Sequence, residues 1–235
     1  MELRTATVPA LSAVAGLAHG FEQRAPGHGA ESRDECLARV GRALAGCGRL
    51  LVLKQVHGAR VAEAPWTGAP EADAAVAAGA GWLLGIQTAD CLPVLLVDPG
   101  RRLVAAAHAG WRGTRAGVAA RAVEALVVRG SEAKDLVAAI GPGIGPCCYE
   151  VGREVRAAFG ASSAEDFRPG PNGRPYLDLR AANARQLLRA GVRAEAVHHV
   201  EQCTRCRPDL YHSYRRDGRT AGRMISFVGF GSRAP

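Results

Sequence analysis

Several things are scarce in this sequence. Aromatic residues make up 5% of the chain, too few for the stacking platforms that single-stranded nucleic acids need. Lysine is almost missing: only Lys54 and Lys134 occur, so nearly all of the 30 basic residues are arginine. Those arginines are spread along the whole length. The formal net charge of +8 therefore reflects a composition rich in Arg, Ala and Gly, without the basic stripe that marks a nucleic-acid partner, and none is expected. Long apolar runs are absent too, since nothing approaches the roughly 20 residues of a membrane-spanning helix. Residues 8–18 are apolar behind Arg4, but Pro9, Ser12 and Gly16 interrupt them and Glu2 precedes them. They are read as a first strand with its loop, not as a secretory leader. The seven cysteines form no disulfide framework: the count is odd, the spacing irregular, and Cys147 and Cys148 are adjacent and poorly placed to bridge each other. A reducing, cytoplasmic setting is expected.

What is present is an ordinary globular balance, with 48% hydrophobic and 22% charged residues over 235 positions, enough to bury a substantial core. One domain over residues 1–235 is expected, because no linker, repeat or low-complexity tract interrupts the chain. A monomer or homodimer is the expected state. Residues 31–45 carry Leu37, Val40 and Leu44 at helical spacing, with Gly46 and Gly48 as stop signals. Short apolar runs bounded by Gly, Pro or Asp predict strands at 50–56, 82–87, 93–97 and 103–107. Residues 114–129 predict a helix closed by Gly130, 136–140 a strand, and 150–159 a short helix closed by Gly160. Asp178 is placed to cap a helix that Gly191 ends. Strands at 197–200 and 224–230 finish the chain. This alternation lacks strict βαβ regularity, which favours an α/β fold with a mixed sheet covered by helices.

Polar residues punctuate the ends of these apolar runs, where a rigid scaffold usually presents its chemistry. They are His57 in Lys54-Gln55-Val56-His57-Gly58, Cys91 in Thr88-Ala89-Asp90-Cys91-Leu92-Pro93, and His108 in His108-Ala109-Gly110-Trp111-Arg112-Gly113. One thiolate and two imidazoles suit zinc, and three protein ligands leave the fourth tetrahedral position open. Their spacing matches no local zinc motif, so buried structural Cys and His residues remain the alternative.

Longer strings carry a resemblance. Gln-Val-His-Gly at 55–58, Thr-Ala-Asp-Cys-Leu-Pro at 88–93, His-Ala-Gly-Trp-Arg-Gly at 108–113, Ile-Gly-Pro-Gly-Ile-Gly-Pro-Cys-Cys-Tyr-Glu-Val-Gly at 140–152 and Cys-Thr at 203–204 resemble the motif series of the laccase-domain family. This family is also called the polyphenol oxidase or peptidoglycan-editing-factor family. The resemblance runs in order from about Phe21 to Phe230. It implies a single four-layer α/β/β/α sandwich with mixed sheets, related to cysteine hydrolases, and a zinc site whose ligands map onto His57, Cys91 and His108. The activity it implies is phosphorolysis of adenosine, inosine and methylthioadenosine, with deamination of adenosine to inosine. Some relatives are credited instead with editing peptidoglycan precursors. The family's copper label fits less well: seven histidines without one His-x-His pair cannot furnish the imidazoles of a trinuclear copper cluster, so zinc is expected before copper.

Phosphorolysis holds a phosphate beside a ribose C1′ that develops oxocarbenium character, so the site needs fixed positive charge and donors. Zinc with one thiolate and two neutral imidazoles keeps a net charge of about +1, and Arg112 can add a fork of donors for phosphate, unless it is held in a structural ion pair. For deamination the same cation would activate water toward purine C6. Cys91, His108 and Asp90 are the candidate catalytic residues, with Asp90 equally readable as a turn residue. Arg24, Gln55 and Arg112 are the candidate substrate-binding residues, and Trp111 reads either as a stacking ring or as part of the core. Gly141, Gly143 and Gly145 read chiefly as backbone permission. After Phe21-Glu22-Gln23-Arg24 the chain departs from the family's usual Gly-Gly-x-Ser at 25–29.

His199-Val200-Glu201 with Cys203-x-x-Cys206 mimics the zinc-deaminase motif, but Glu201 and Cys203 lie too close together for it, and no second metal site is assigned there. Two other functions stay open. Cys91 activated by His108 would make an amidase acting on peptidoglycan precursors, and a non-catalytic zinc module would dock on a partner enzyme.

Overall fold

The computed structural model describes residues 3–24, 31–171 and 173–231. The atypical segment 25–29 lies outside the described residues. Two mixed sheets stack face to face between helices. The first runs in the order β1 (Thr5–Ala6), β2 (Leu17–Glu22), β13 (Met224–Phe230), β6 (Gly81–Thr88) and β3 (Gly48–Val52), antiparallel except for the β6–β3 pair. The second runs β12 (Val197–His199), β9 (Val137–Ile140), β7 (Leu92–Asp98), β8 (Leu103–Ala109), β5 (Ala74–Ala78) and β4 (Val61–Glu63), antiparallel in the middle and parallel at both edges. A small hairpin of β10 (Phe167–Pro169) and β11 (Pro175–Leu177) stands apart.

Strand periodicity explains the layering. Successive side chains of a strand face opposite sides, so Leu92, Val94 and Leu96 enter one core while Leu95 and Val97 enter the other. β8 repeats this with Ala105 and Ala107 on one side and Val104 and Ala106 on the other. Buried on both faces, these strands read as continuous apolar runs. The outer face of the second sheet is covered by α4 (Val118–Val127) and α6 (Leu179–Arg189) through Val118, Ala122, Val123, Leu126 and Leu187. The outer face of the first is covered by α2 (Arg33–Leu44), where Cys36, Val40 and Leu44 meet Leu83, Ile225 and Phe227. Each such fully buried aliphatic side chain stabilises the fold by about 1.5–3 kcal/mol. The result is the four-layer α/β/β/α sandwich.

Local signals set most boundaries. Ser32 and Glu35 form a reciprocal capping box on α2, and Asp178 caps α6 by accepting from the Ala181 N–H at 3.0 Å. Four expectations need correction. The apolar stretch at 8–18 is no strand: Pro9 starts the short helix α1 (Pro9–Ser12), and strand structure resumes only at Leu17. The helix expected over 114–129 is two helices, α3 (Trp111–Arg115) and α4, because Gly117 takes a left-handed φ of 82° between them. The strand expected over 50–56 stops at Val52, and the helix expected from 150 starts later, as α5 (Arg153–Phe159). A last short helix, α7 (Tyr214–Asp217), faces the cavity described next. Among the described residues no helix is long and apolar enough to cross a membrane.

Candidate metal centre

The three punctuating residues converge. Cys91 directly precedes β7, His108 is the penultimate residue of β8 in register with Pro93 of β7, and His57 lies in the turn that follows β3. One ligand atom from each lies within 4.8 Å of the others, and the two imidazoles meet edge to face at 4.8 Å between centroids. Close approach here requires a glycine: a Cβ on Gly110 would sit 2.8 Å from Cys91 Sγ and 3.2 Å from the His57 ring.

Asp73, buried immediately before β5, organises two of the three ligands. Its carboxylate accepts the backbone N–H groups of Val56, His57 and Gly58 at 3.1, 2.9 and 2.6 Å, which holds His57 at a positive φ of 63°. Its Oδ1 also lies 2.8 Å from His108 Nδ1, and its carbonyl accepts the His108 N–H at 2.7 Å. An imidazole that donates its Nδ1–H to a carboxylate presents Nε2 as the ligand atom, the usual outer support of a metal-bound histidine.

The electrostatics favour a cation. Burial pushes the Cys91 thiol up, but the neighbouring His108 and His57 outweigh it and bring it down to about 6. Burial opposes the His108 imidazolium, yet Cys91 and Asp73 carry it up to about 9. Asp73 stays below the ordinary carboxylate range despite its burial, because His108 and the backbone donors of Gly58 and Val56 stabilise its charge. Thiolate and imidazolium thus face each other in the chain alone, and a divalent cation would take the place of the proton they share. The donor set fits a borderline-soft metal.

The cluster lies on the wall of a cavity of about 680 Å³, within the usual size of small-molecule sites. Asp90, Gln55, Trp111 and Arg112 all line it, with Arg112 stacked 4.3 Å from the Trp111 ring. Gln55 brackets the Gln87 backbone, donating through Nε2 and accepting through Oε1 at 2.8 Å each. Asp90, at a φ of 88°, accepts the Thr204 hydroxyl and the Arg215 N–H at 2.6 Å each. Arg24 is not brought to this wall; its N–H donates to Leu210 O and its guanidinium to Pro208 O.

Sequence reasoning missed Asp73, although it precedes an apolar run just as Cys91 does; the run Ala-Ala-Val-Ala-Ala has too little β propensity to read as a strand. It also missed Tyr149, Tyr214, Arg215 and Arg223, which complete the wall. The Tyr-Arg-Arg string at 214–216 was the available signal. Arg215 stacks 5.2 Å from Tyr149 and donates to Glu150 O at 2.8 Å. Burial and the Cys91 charge push the Tyr149 phenol up, so it stays neutral. With Lys54, Arg112, Arg215 and Arg223 against Asp90, the lining is strongly cationic.

The family model described as multi-copper polyphenol oxidoreductase laccase matches residues 25–231. Purine nucleoside phosphorylase YlmD of Geobacillus stearothermophilus is 37% identical over 97% of this chain and 93% of its own length. Its crystal structure superposes with a TM-score of 0.87 at 31% identity, covering 99% of this chain and 98% of that one. A purine nucleoside phosphorylase of Deinococcus radiodurans is 41% identical over 87% of this chain and 78% of its own length. Adenosine deaminase RL5, from an unknown prokaryotic organism, is 39% identical over 66% of this chain and 61% of its own length. The chain belongs to the laccase-like polyphenol oxidoreductase family.

Proposed function

We propose, from that membership, that the protein is a zinc-dependent purine nucleoside phosphorylase acting on adenosine, inosine and methylthioadenosine, with adenosine deaminase activity at the same site. The observation that carries the reading is a His-His-Cys ligand set opening onto an arginine-rich cavity; one relative is named a purine nucleoside phosphorylase and another an adenosine deaminase. His57, Cys91 and His108 would hold the zinc, which when bound supplies Lewis acidity and leaves one coordination place open. Asp73 keeps the His108 Nδ1 proton in place, so that the ring does not rotate or change tautomer. Arg112 and Arg215 would bind phosphate and steady it beside the ribose, where fixed cations need no reorganisation as charge develops. Neutral Tyr149 and Trp111 offer rings to the purine. Asp90 would position this wall through its bonds to Thr204 and Arg215, and Gln55 would fix the neighbouring edge of β6.

The test is incubation with adenosine, with and without phosphate, followed by product identification. Ribose 1-phosphate and adenine that require phosphate support phosphorolysis. Inosine without phosphate supports the deaminase part. Absence of both products from zinc-loaded protein overturns the reading. One observation favours a second reading, a Cys–His amidase: Cys91 and His108 bring their ligand atoms within 4.8 Å of each other, and the lowered thiol and raised imidazole suit an activated nucleophile as well as a ligand pair. Under that reading metal-free protein is active and is stopped by stoichiometric alkylation of Cys91.

A further inference from the structure

Four of the remaining cysteines are unexplained by the cavity. Cysteine is among the most buried residue types, yet Cys147 and Cys206 are exposed, and an exposed free thiol is a liability unless something ligates it. The fold brings together two pairs distant in sequence: the adjacent Cys147 and Cys148 after β9, and Cys203-x-x-Cys206 after β12. All four sulfurs lie within 4.8 Å of one another, with Cys148 Sγ 3.3 Å and Cys147 Sγ 3.7 Å from Cys206 Sγ. A tetrahedral ion with metal–sulfur bonds of about 2.3 Å places its sulfurs about 3.8 Å apart. His199, which the sequence pattern set beside Cys203-x-x-Cys206, is not in this group; Cys147 and Cys148 take that place.

The surroundings are built for thiolates. The Gly145 N–H donates to Cys203 Sγ at 3.2 Å, a bond that strengthens when the acceptor is charged. Gly145 allows close packing here, since a Cβ would stand 3.2 Å from Cys203 Cβ and 3.3 Å from Cys147 Sγ, both tight contacts. The Arg205 guanidinium lies near enough to Cys148 for the two to interact electrostatically, an apt counter-charge for a tetrathiolate whose net charge with a divalent ion is about −2. The same loops are tied by the Thr204 N–H to Gly143 O at 3.0 Å and by the Cys148 and Tyr149 N–H groups to Gly145 O.

We propose that Cys147, Cys148, Cys203 and Cys206 form a second metal site, a closed tetrathiolate for zinc or a similarly soft divalent cation. The site clamps the loop after β9 to the loop after β12. Its neighbours in sequence reach the cavity, since Tyr149 follows Cys148, and Thr204, which follows Cys203, bonds Asp90. Four protein ligands leave no place for substrate, so the site holds the wall and does no chemistry. It is independent of what the cavity binds.

The test is metal stoichiometry by mass spectrometry on full-length protein purified without chelator. The wild type is expected to hold about two zinc per chain, and C203S/C206S and H57A/H108A about one each. As a check that does not depend on the cysteine variant folding, H57A/H108A is reloaded with cobalt(II). It should show the intense thiolate-to-metal charge transfer of four sulfurs, lost on adding C203S/C206S. Zinc-free H57A/H108A with no cobalt–thiolate band overturns the proposal. So does wild-type protein whose intact mass shows these cysteines paired as disulfides in place of the metal.

Discussion

The two ligand clusters differ in one decisive respect, the number of side chains each commits. His57, Cys91 and His108 offer three donors at a cavity wall, with Asp73 buried behind them to fix one ring and one turn. The four cysteines offer a full tetrahedron near the surface, with backbone and arginine partners for the sulfurs. Three donors leave a coordination place for chemistry, whereas four leave none. Burial separates them less: His108 is buried and Cys91 half-buried, but His57 is exposed, as Cys147 and Cys206 are. With zinc at both clusters, as proposed, one fold would use the metal for two purposes, decided by how many residues the loops deliver.

The sharpest way to break this contrast is His57→Ala. Phosphorolysis should fall to background in a product assay while circular dichroism stays unchanged, and the tetrathiolate metal should remain. Loss of both metals would mean that the clusters are one unit. Next comes Asp73→Asn, which keeps the shape but weakens the hold on His108. Zinc affinity at the cavity should drop about 10–100-fold, the usual cost of losing an outer-shell partner, as read by competition with a chromophoric chelator, with the cysteine site unaffected. Arg112→Ala should raise the KM for phosphate roughly tenfold or more, as expected for losing a charge-assisted hydrogen bond, with zinc content unchanged. C203S/C206S should lower the melting temperature by about 5–10 °C, the range for a few kcal/mol in a chain of this size.

The smallest effect belongs to the far end of β7, opposite Cys91. There Asp98, buried against solvent, accepts the Ser131 hydroxyl at 2.6 Å and the Arg101 N–H at 3.0 Å. Burial raises its pKa, but these donors and the Arg101 charge outweigh that and hold it below the ordinary carboxylate value. A lowered folded pKa gives stability that is fully present above the unfolded value and is lost as pH falls through the folded one. Asp98→Asn should therefore flatten the acid limb of melting temperature against pH and leave both metal contents alone.

Much of the scaffold was legible in the sequence because its signals are local. Apolar runs bounded by turn residues marked β6, β7, β8 and β13, Asp178 marked its helix start, and Gly130 and Gly191 marked helix ends, each taking a left-handed φ, 94° and 96°. The alanine strand β5 was invisible, because alanine has little β propensity and becomes a strand only when two packed layers need a small residue between them. The split at Gly117 and the helical turn at Pro9 went unseen where apolar periodicity outweighed a single breaker.

The sequence by itself singled out the candidate residues: His57, Cys91 and His108 stand out as polar interruptions of apolar runs, and the motif strings around them are specific. Tertiary structure alone decided who meets whom. Only folding sets Asp73 behind His57 and His108, turns Tyr149 and Arg215 onto the cavity, and gathers cysteines more than fifty positions apart. The physical reason is range: propensities, caps and turn residues act over a few neighbours, whereas a ligand set is defined by distances of a few ångströms between loops that only the packed sheets hold in place.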